Sequence, residues 1–570
     1  MRNSILYLSI LLAFFIASCG NSDSNANLSG IGGKIYGGEF RFMSSEKIES
    51  LFAVSVSDIY SHRIIPQLYE PLLKIDVATL KVVPCIAESY TVSEDARVFT
   101  FKIRKGVFFH DDACFEGGKG RELTAEDVKY SLEMACSGLD LNKMSYLLVN
   151  KIKGAKEFES KSKKSLDKAG VSGIKVVNSS TVEVKLQEPF VGFDKLLTHA
   201  SLSIFPKESY EKYGKDIKNH PVGTGAFMLE TFDKEKIVLK KNENYWKSDD
   251  FGNKLPFLDK VIMTYSKNKR SELLAFRKKK IDIVLEIPVE DIEYVFGSLE
   301  QAQNGENVKH KIESTSSLHI SYMSFACESK EFKDERVRKA FNLAIDRQRI
   351  VDDLLEGEGF PTNNGFVPNM ETYANNKING FKFNPELARS LLAEAGYKNG
   401  EHFPTLEIYV NSKEGTGVHK LYKGIVAHIK ANLNINLQIK LCTIKERNEG
   451  IAAGKVKLWR SGWVADYPDA ENFLCLFYSP NISDNGGSIN EFRFRNAEFD
   501  GFFNKALKEL NTEKRNEYLL KCDQLVIDRA AAMPLITDDF IVMVNVRLKD
   551  FKTNSLQTMD FSNIYIKEKR

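Results

Sequence analysis

A multidomain α/β chain is expected from three observations. Stretches of strand period alternate with stretches of helical period along nearly all of the 570 residues. The helical stretches begin at capping residues and stop at glycine or proline. The length itself exceeds what one hydrophobic core serves and suggests about two to four domains.

The chain opens with an expected export signal at residues 1–18. Arg2 supplies the positive end, residues 5–17 form an almost unbroken apolar run, and Ile16-Ala17-Ser18-Cys19 closes it with small residues. The run is too short for a membrane span. Its end resembles the lipobox of bacterial lipoproteins, which implies cleavage before Cys19 and lipidation of that cysteine. Residues 19–33 are polar and aperiodic, and are expected to form a flexible tether reaching on the order of 20 Å. No later stretch approaches the roughly 18 apolar residues of a spanning helix. The expectation is an exported chain held to a membrane only at its front.

The elements follow in order. Residues 37–42 read as a strand, and 97–104 alternate with Phe99, Phe101 and Ile103 on one face. Residues 112–122 form an insert whose Gly117-Gly118-Lys119-Gly120 reads as a flexible loop tip. Thr124 is placed to cap a helix with Glu126 and Asp127 in its first turn. The lysine-rich residues 151–168 read as solvated, and 176–186 as a turn followed by an alternating strand. Pro221-Val222-Gly223-Thr224-Gly225 has the glycines of a phosphate loop but no following Gly-Lys-Ser/Thr and no helix. A strained turn where chain segments cross is the better reading. Residues 261–265, 270–278 and 281–285 suggest a βαβ unit.

Residues 337–355 read as one helix, with Asp334 before it and Gly357 after. Residues 385–395 read as another, with Asn384 as cap, Pro385 at the first position and Gly396 past the end. A second βαβ-like unit spans 406–410, 417–433 and 435–441. A late helix at 518–529 and strands over 534–546 complete the chain.

Composition removes several function classes. Lysine plus arginine number 80 against 77 acidic residues, so no global field favours nucleic acid. The seven cysteines after Cys19 are scattered, odd in number and without a CxxC, so neither a disulfide framework nor a zinc ribbon is indicated. Nucleophile-elbow, zinc-protease, EF-hand and dinucleotide fingerprints are all missing. The nine histidines never fall at metal-ligand spacing around a carboxylate. Nothing in the sequence argues for an enzyme, a cofactor or a metal.

The richest stretch is Trp459-Arg460-Ser461-Gly462-Trp463-Val464-Ala465-Asp466-Tyr467-Pro468-Asp469. It holds two of the three tryptophans and sets Arg460 six residues before Asp466, on a strand running into a loop. Ligands of sheets flanked by helices sit beyond the carboxyl ends of strands. A cation and an anion held there suit a zwitterion such as a short peptide. The alternative is a structural ion pair between core tryptophans.

Six motifs in sequence order resemble the extracellular solute-binding proteins of family 5, the peptide, dipeptide and nickel receptors of ABC importers. They are LYEPL at 68–72; AESY through FKIRKGV to His110; LTAEDVKYSL; HPVGTGAF with LKKNENYW; DERVRKAFNLAIDRQRIV with NPELARSLLAEAGY; and GWVADYPDAENFL. Two departures are the 112–122 insert and Ala470, where the family commonly has proline.

The resemblance implies a two-lobed periplasmic binding protein (type II, cluster C-like) with an inserted domain and a hinge. Lobe I would comprise 34–66, 200–302 and 537–570, domain II 67–199, and lobe III 303–536. Similarity is greatest to the oligopeptide-binding branch. It implies that Asp466 takes a peptide's α-ammonium group, that Arg460 meets its carboxylate, and that the Val464 backbone pairs with the peptide main chain. Trp463 and Tyr467 stand beside them, with Glu46, Lys47 and Tyr146 as further lining positions. The implied partners are a short peptide, a membrane permease and a separate ATPase, since no Walker motif is present; the receptor would be a monomer. The same scaffold binding a metal chelate or an oligosaccharide, or serving as a surface sensor, adhesin or chaperone-like protein, stays open beside this reading.

Overall fold

The computed structural model describes residues 29–56, 58–266, 268–285, 310–355, 359–370, 373–482, 489–567. The expected signal, Cys19 and most of the tether lie outside them. The tether's described end is docked: Ile31 N–H donates to Asn253 Oδ1 (2.7 Å), and Asn253 Nδ2 returns a bond to the Ile31 carbonyl (2.9 Å).

Two groups of sheets divide the chain. In the first half, Glu39–Ser44 pairs in parallel with Lys260–Tyr265, which continues into Lys236–Lys241 and Phe227–Phe232. A second four-stranded antiparallel sheet orders Ala87–Val92, Val98–Ile103, Thr181–Lys185 and Ile174–Asn178. Phe99 and Phe101 are buried there, as their alternation predicts. The other half is built on a six-stranded sheet. Its order is Phe360–Pro361, Ala532–Thr537, His319–Phe325, Leu458–Val464, Leu406–Val410, Leu437–Leu441.

The chain passes between the halves at two adjacent points. His310–Ser316 pairs antiparallel with Asp539–Asn545 in a small sheet that also takes Ile283–Val284. Each of the two long strands then runs directly into the six-stranded sheet, as His319–Phe325 and Ala532–Thr537. The crossings are Ser317–Leu318 and Asp538, and Ser317 N–H donates to the Asp538 carbonyl (3.2 Å). The boundary expected at residue 303 lies outside the described residues. Because Ile283–Val284 joins this small sheet, it does not form the expected βαβ unit with Lys260–Tyr265. The second unit does form: Leu406–Val410 and Leu437–Leu441 are adjacent and parallel, joined by the helix Gly417–Leu433.

Local chemistry explains the element ends. Thr124 and Asp127 form a capping box on Ala125–Ala135. Asn384 Oδ1 accepts from Leu387 N–H (3.0 Å) at the start of Pro385–Glu394. The single helix expected over 337–355 is instead two, Glu335–Leu343 and Arg347–Leu354, because Asp346 caps the second by accepting from Arg349 N–H (3.1 Å).

Motifs of the first half that carry the resemblance converge on one buried carboxylate. Glu70 accepts from Thr224 Oγ1 (3.0 Å), Tyr245 OH (3.0 Å), Trp246 Nε1 (2.7 Å) and Lys247 Nζ (2.6 Å). Gly223 and Gly225 allow this crossing: a Cβ on either would stand 2.2 or 2.3 Å from the carbonyl of Leu68 or Gln67. The 112–122 insert is pinned rather than loose. Arg121 grips Asp127 and Glu208 with bonds of 2.7 to 2.8 Å, and a Cβ on Gly120 would meet the Phe109 carbonyl at 1.9 Å. All seven described cysteines are free thiols.

Candidate functional site

A cavity of about 1470 Å³ opens between the halves. His62, Tyr146 and His199 line it from one side, and Arg447, Arg460, Trp463, Val464 and Asp466 from the other. The strand Leu458–Val464 forms its wall. This strand is paired along its whole length with His319–Phe325, from His319↔Val464 to Phe325↔Leu458. On the opposite edge, Leu406–Val410 meets it only at Leu458 and Trp459. Among the described residues, the outer edge beyond Trp459 therefore has no strand partner.

Charge is separated along this edge. At one end Asp466, with a side chain 13% exposed, is held by an amide clamp. Asn472 Nδ2 donates to Asp466 Oδ2 (3.0 Å), and Asn472 Oδ1 accepts from Asp466 N–H (3.0 Å) and Trp463 Nε1 (2.9 Å). His199 Nε2 lies 3.1 Å from Asp466 Oδ1 without a well-aligned hydrogen bond. Burial works to raise the Asp466 pKa, but the nearby His199 ring and the Asn472 amide outweigh it, and the net direction is down. Burial, and then the Asp466 charge, push the Tyr146 hydroxyl well above its ordinary pKa.

At the other end, Arg460 and Arg447 have no carboxylate within ion-pair distance among the described residues. Arg447 Nη1 donates to the Arg460 carbonyl (3.0 Å) and Asn411 Oδ1 (3.2 Å), while its Nε and Nη2 reach Asn448 Oδ1 (3.0 and 2.8 Å). Arg460 Nε is buried without a hydrogen-bond partner. The structural alternative, an Arg460–Asp466 ion pair, is not formed.

Of the residues expected from the sequence, Asp466, Arg460, Trp463, Val464 and Tyr146 line the cavity. Tyr467 does not: next to Asp466 but turned inward, it is buried and its hydroxyl donates to Glu471. Glu46 and Lys47 do not line it either. They lie in the turn after Glu39–Ser44, where the Glu46 carbonyl is held by Ser44 Oγ and Lys47 is exposed. His62, His199, Arg447 and Asn472 were not expected. They come from separate segments and carry no shared local signal.

Comparison with known proteins adds a lineage to this geometry. The family model described as Bacterial extracellular solute-binding proteins, family 5 Middle, matches residues 81–485. The oligopeptide-binding protein OppA of Bacillus subtilis (strain 168) is 26% identical over 565 residues, 96% of each chain. Heme-binding protein A of Haemophilus influenzae is 26% identical over 497 residues, 85% of this chain and 84% of that protein. The structure of DppA from Helicobacter pylori, in complex with the peptide STSA, superposes with a TM-score of 0.79 at 25% identity. It covers 94% of this chain and 99% of that one.

Proposed function

The chain belongs to family 5 of the bacterial extracellular solute-binding proteins, and from that premise we propose that it captures a short peptide between its lobes and delivers it to a membrane permease. One observation carries the choice of ligand. The unpartnered edge of Leu458–Val464 runs from a guanidinium at Arg460 with no carboxylate in ion-pair distance among the described residues towards a carboxylate at Asp466 with no lysine or arginine on it. An extended chain adds to such an edge through its main chain, which binds without reading side chains. Its ammonium would meet Asp466 and its carboxylate Arg460, six residues away. At about 3.3 Å per residue this spacing is at most roughly 20 Å, the length of a peptide of a few residues.

Attachment through a lipid on Cys19, a separate ATPase and a monomeric receptor belong to the same reading. The paired crossings at Ser317–Leu318 and Asp538 would serve as its hinge. A second reading, a bulky non-peptide solute such as heme, is favoured by the relative named for heme and by the cavity. Its volume exceeds the roughly 300–1,000 Å³ common for small-molecule sites.

The test is native mass spectrometry of the exported protein purified without denaturation. A set of bound masses matching peptides of a few residues supports peptide capture. A single non-peptide mass shows that the scaffold carries something else.

A further inference from the structure

Two imidazoles sit against Asp466, and the peptide reading gives them no task. The rings of His62 and His199 meet edge to face, with centroids 5.1 Å apart and planes at 85°. His199 is 3% exposed. Its Nδ1 accepts the backbone N–H of Ser201 (3.0 Å), so the lone pair is on Nδ1 and the proton of the neutral ring is on Nε2, 3.1 Å from Asp466 Oδ1 but off its axis. Charging this ring would put a second N–H against the Ser201 N–H. His62 Nε2 has Ser201 Oγ at 3.5 Å, and the groups acting on its charge are His199, Asp466 and Asp58. Tyr146 and Cys475 also lie near enough to feel the Asp466 charge.

We propose that His62 and His199 form a neutral imidazole wall that determines specificity for a free α-ammonium group, with His199 as the positioning residue for Asp466. The proposal rests on the peptide reading and deepens it. A lysine or arginine in this place would cancel the carboxylate's charge before any ligand arrived. A neutral N–H holds the carboxylate in place and leaves its charge unspent. Because the His199 contact is off-axis, Asp466 Oδ1 keeps a lone pair for the incoming N–H⁺. An acylated amino terminus brings no charge, and the buried carboxylate would then stay unpaired.

Acid should undo the arrangement. Burial lowers the His62 pKa to about 4, with Asp466, Asp58 and the Val56 carbonyl opposing. Protonation below that value sets an imidazolium beside the ligand's ammonium and expels it.

The donor atoms of His62, His199 and Asp466 also lie within 4.8 Å of one another, the spacing of a divalent-cation site. A metal on His199 Nε2 needs the proton on Nδ1, where the Ser201 N–H already points. The tautomer decides against it.

The experiment has two arms. In the ligand-free protein, imidazole ¹⁵N shifts are followed from pH 4 to 8. The proposal expects His199 as the Nε2–H tautomer and His62 neutral at pH 6. A charged His62 at pH 6, or an Nδ1–H tautomer on His199, overturns it whatever the ligand proves to be.

In the second arm, tetra-alanine and N-acetyl-tetra-alanine are titrated into wild type, His199→Leu, His199→Gln and His62→Phe. His199→Leu should weaken tetra-alanine about tenfold or more and the acetylated peptide little. His199→Gln, which restores an N–H donor, should recover most of that loss. The wild-type fall in affinity between about pH 5 and 4 should vanish in His62→Phe. Equal losses for both peptides, an unmoved pH profile, or saturable Zn²⁺ binding abolished by His199→Gln would each overturn the wall. If wild type bound neither peptide, the peptide reading itself would fall, and the ligand half of this proposal with it.

Discussion

Lys195 Nζ stands 2.8 Å from Asp469 Oδ2, joining the segment that carries His199 to the loop that carries Asp466. The contact therefore ties the two sides of the cleft together next to the candidate ammonium pocket. Its halves are unequal. Asp469 is 4% exposed and also takes both guanidinium nitrogens of the buried Arg515 (3.0 and 2.9 Å), whereas Lys195 is 35% exposed. The lysine can be removed without leaving the aspartate unpaired.

Lys195→Met should therefore affect binding more than stability. A partly exposed ion pair contributes up to ~1 kcal/mol. If that energy favours the closed state, the variant releases peptide up to about fivefold faster with an unchanged association rate. Stopped-flow dissociation checks this, and an unchanged off-rate would show that the contact plays no part in closure.

Asp469→Asn should do the opposite and destabilise the fold. Removing one partner of a buried pair costs roughly 3–5 kcal/mol, because Arg515 is left charged and uncompensated. Burial raises the Asp469 pKa, but Arg515 and Lys195 together hold it well below the ordinary carboxylate value. The sign follows: a depressed folded pKa gives stability that is present above about pH 4 and is lost as pH falls below it. The wild-type advantage over Asp469→Asn in chemical denaturation should thus shrink on going from pH 5 towards pH 3.

The strand running into a loop was legible from Leu458, the aromatic beside it and Pro468, which are local signals, but Gly462, which reads as a loop residue, lies inside the strand. The partners of Asp466 were not. His62, His199 and Asn472 converge only after two halves fold against each other, and no periodicity states which distant polar groups will meet. The break at Ala344 was hidden for a different reason. Apolar spacing continues through it, while the cap at Asp346 is a local competitor that the spacing does not reveal. Glu46 and Lys47 follow a correctly read strand, but the turn after it decides where they point.

Asp466→Asn should leave the fold intact and weaken peptide binding by roughly 2–5 kcal/mol, the range for truncating a buried charge partner. Calorimetric titration alongside a thermal melt separates the two effects. Full affinity in the variant would remove Asp466 from the ligand's ammonium group.

Asp523 provides a pH effect of the opposite sign, away from the cleft. It is fully buried and accepts from Phe366 N–H (2.7 Å), Val367 N–H (3.3 Å) and Tyr373 OH (2.9 Å), with no ion-pair partner among the described residues. Burial raises its pKa to about 6, the hydrogen bonds opposing. A raised folded pKa means stability fully present below the unfolded value near 3.9 and lost as pH rises through about 6. Two units correspond to about 3 kcal/mol. Relative to Asp523→Asn, wild type should gain stability as pH drops from 7 to 4, and parallel pH profiles would contradict the assignment.

Gly462→Val tests the strand edge itself. Gly462 is exposed to the cleft between Arg460 and Val464, and a Cβ there would lie 3.0 Å from His319 Nε2 and 3.7 Å from Arg460 Nη2. The guanidinium thus lies over the space that glycine leaves open, next to the edge where the peptide main chain would pair. Valine fills that space and displaces Arg460. Its backbone effect is favourable, since β-branched residues suit strands by up to about 1 kcal/mol. Stability and binding should therefore move in opposite directions: an unchanged or slightly higher melting temperature with affinity for tetra-alanine reduced about tenfold or more. A lower melting temperature with unchanged affinity would mean that the glycine serves packing against His319 and that no ligand runs along this edge.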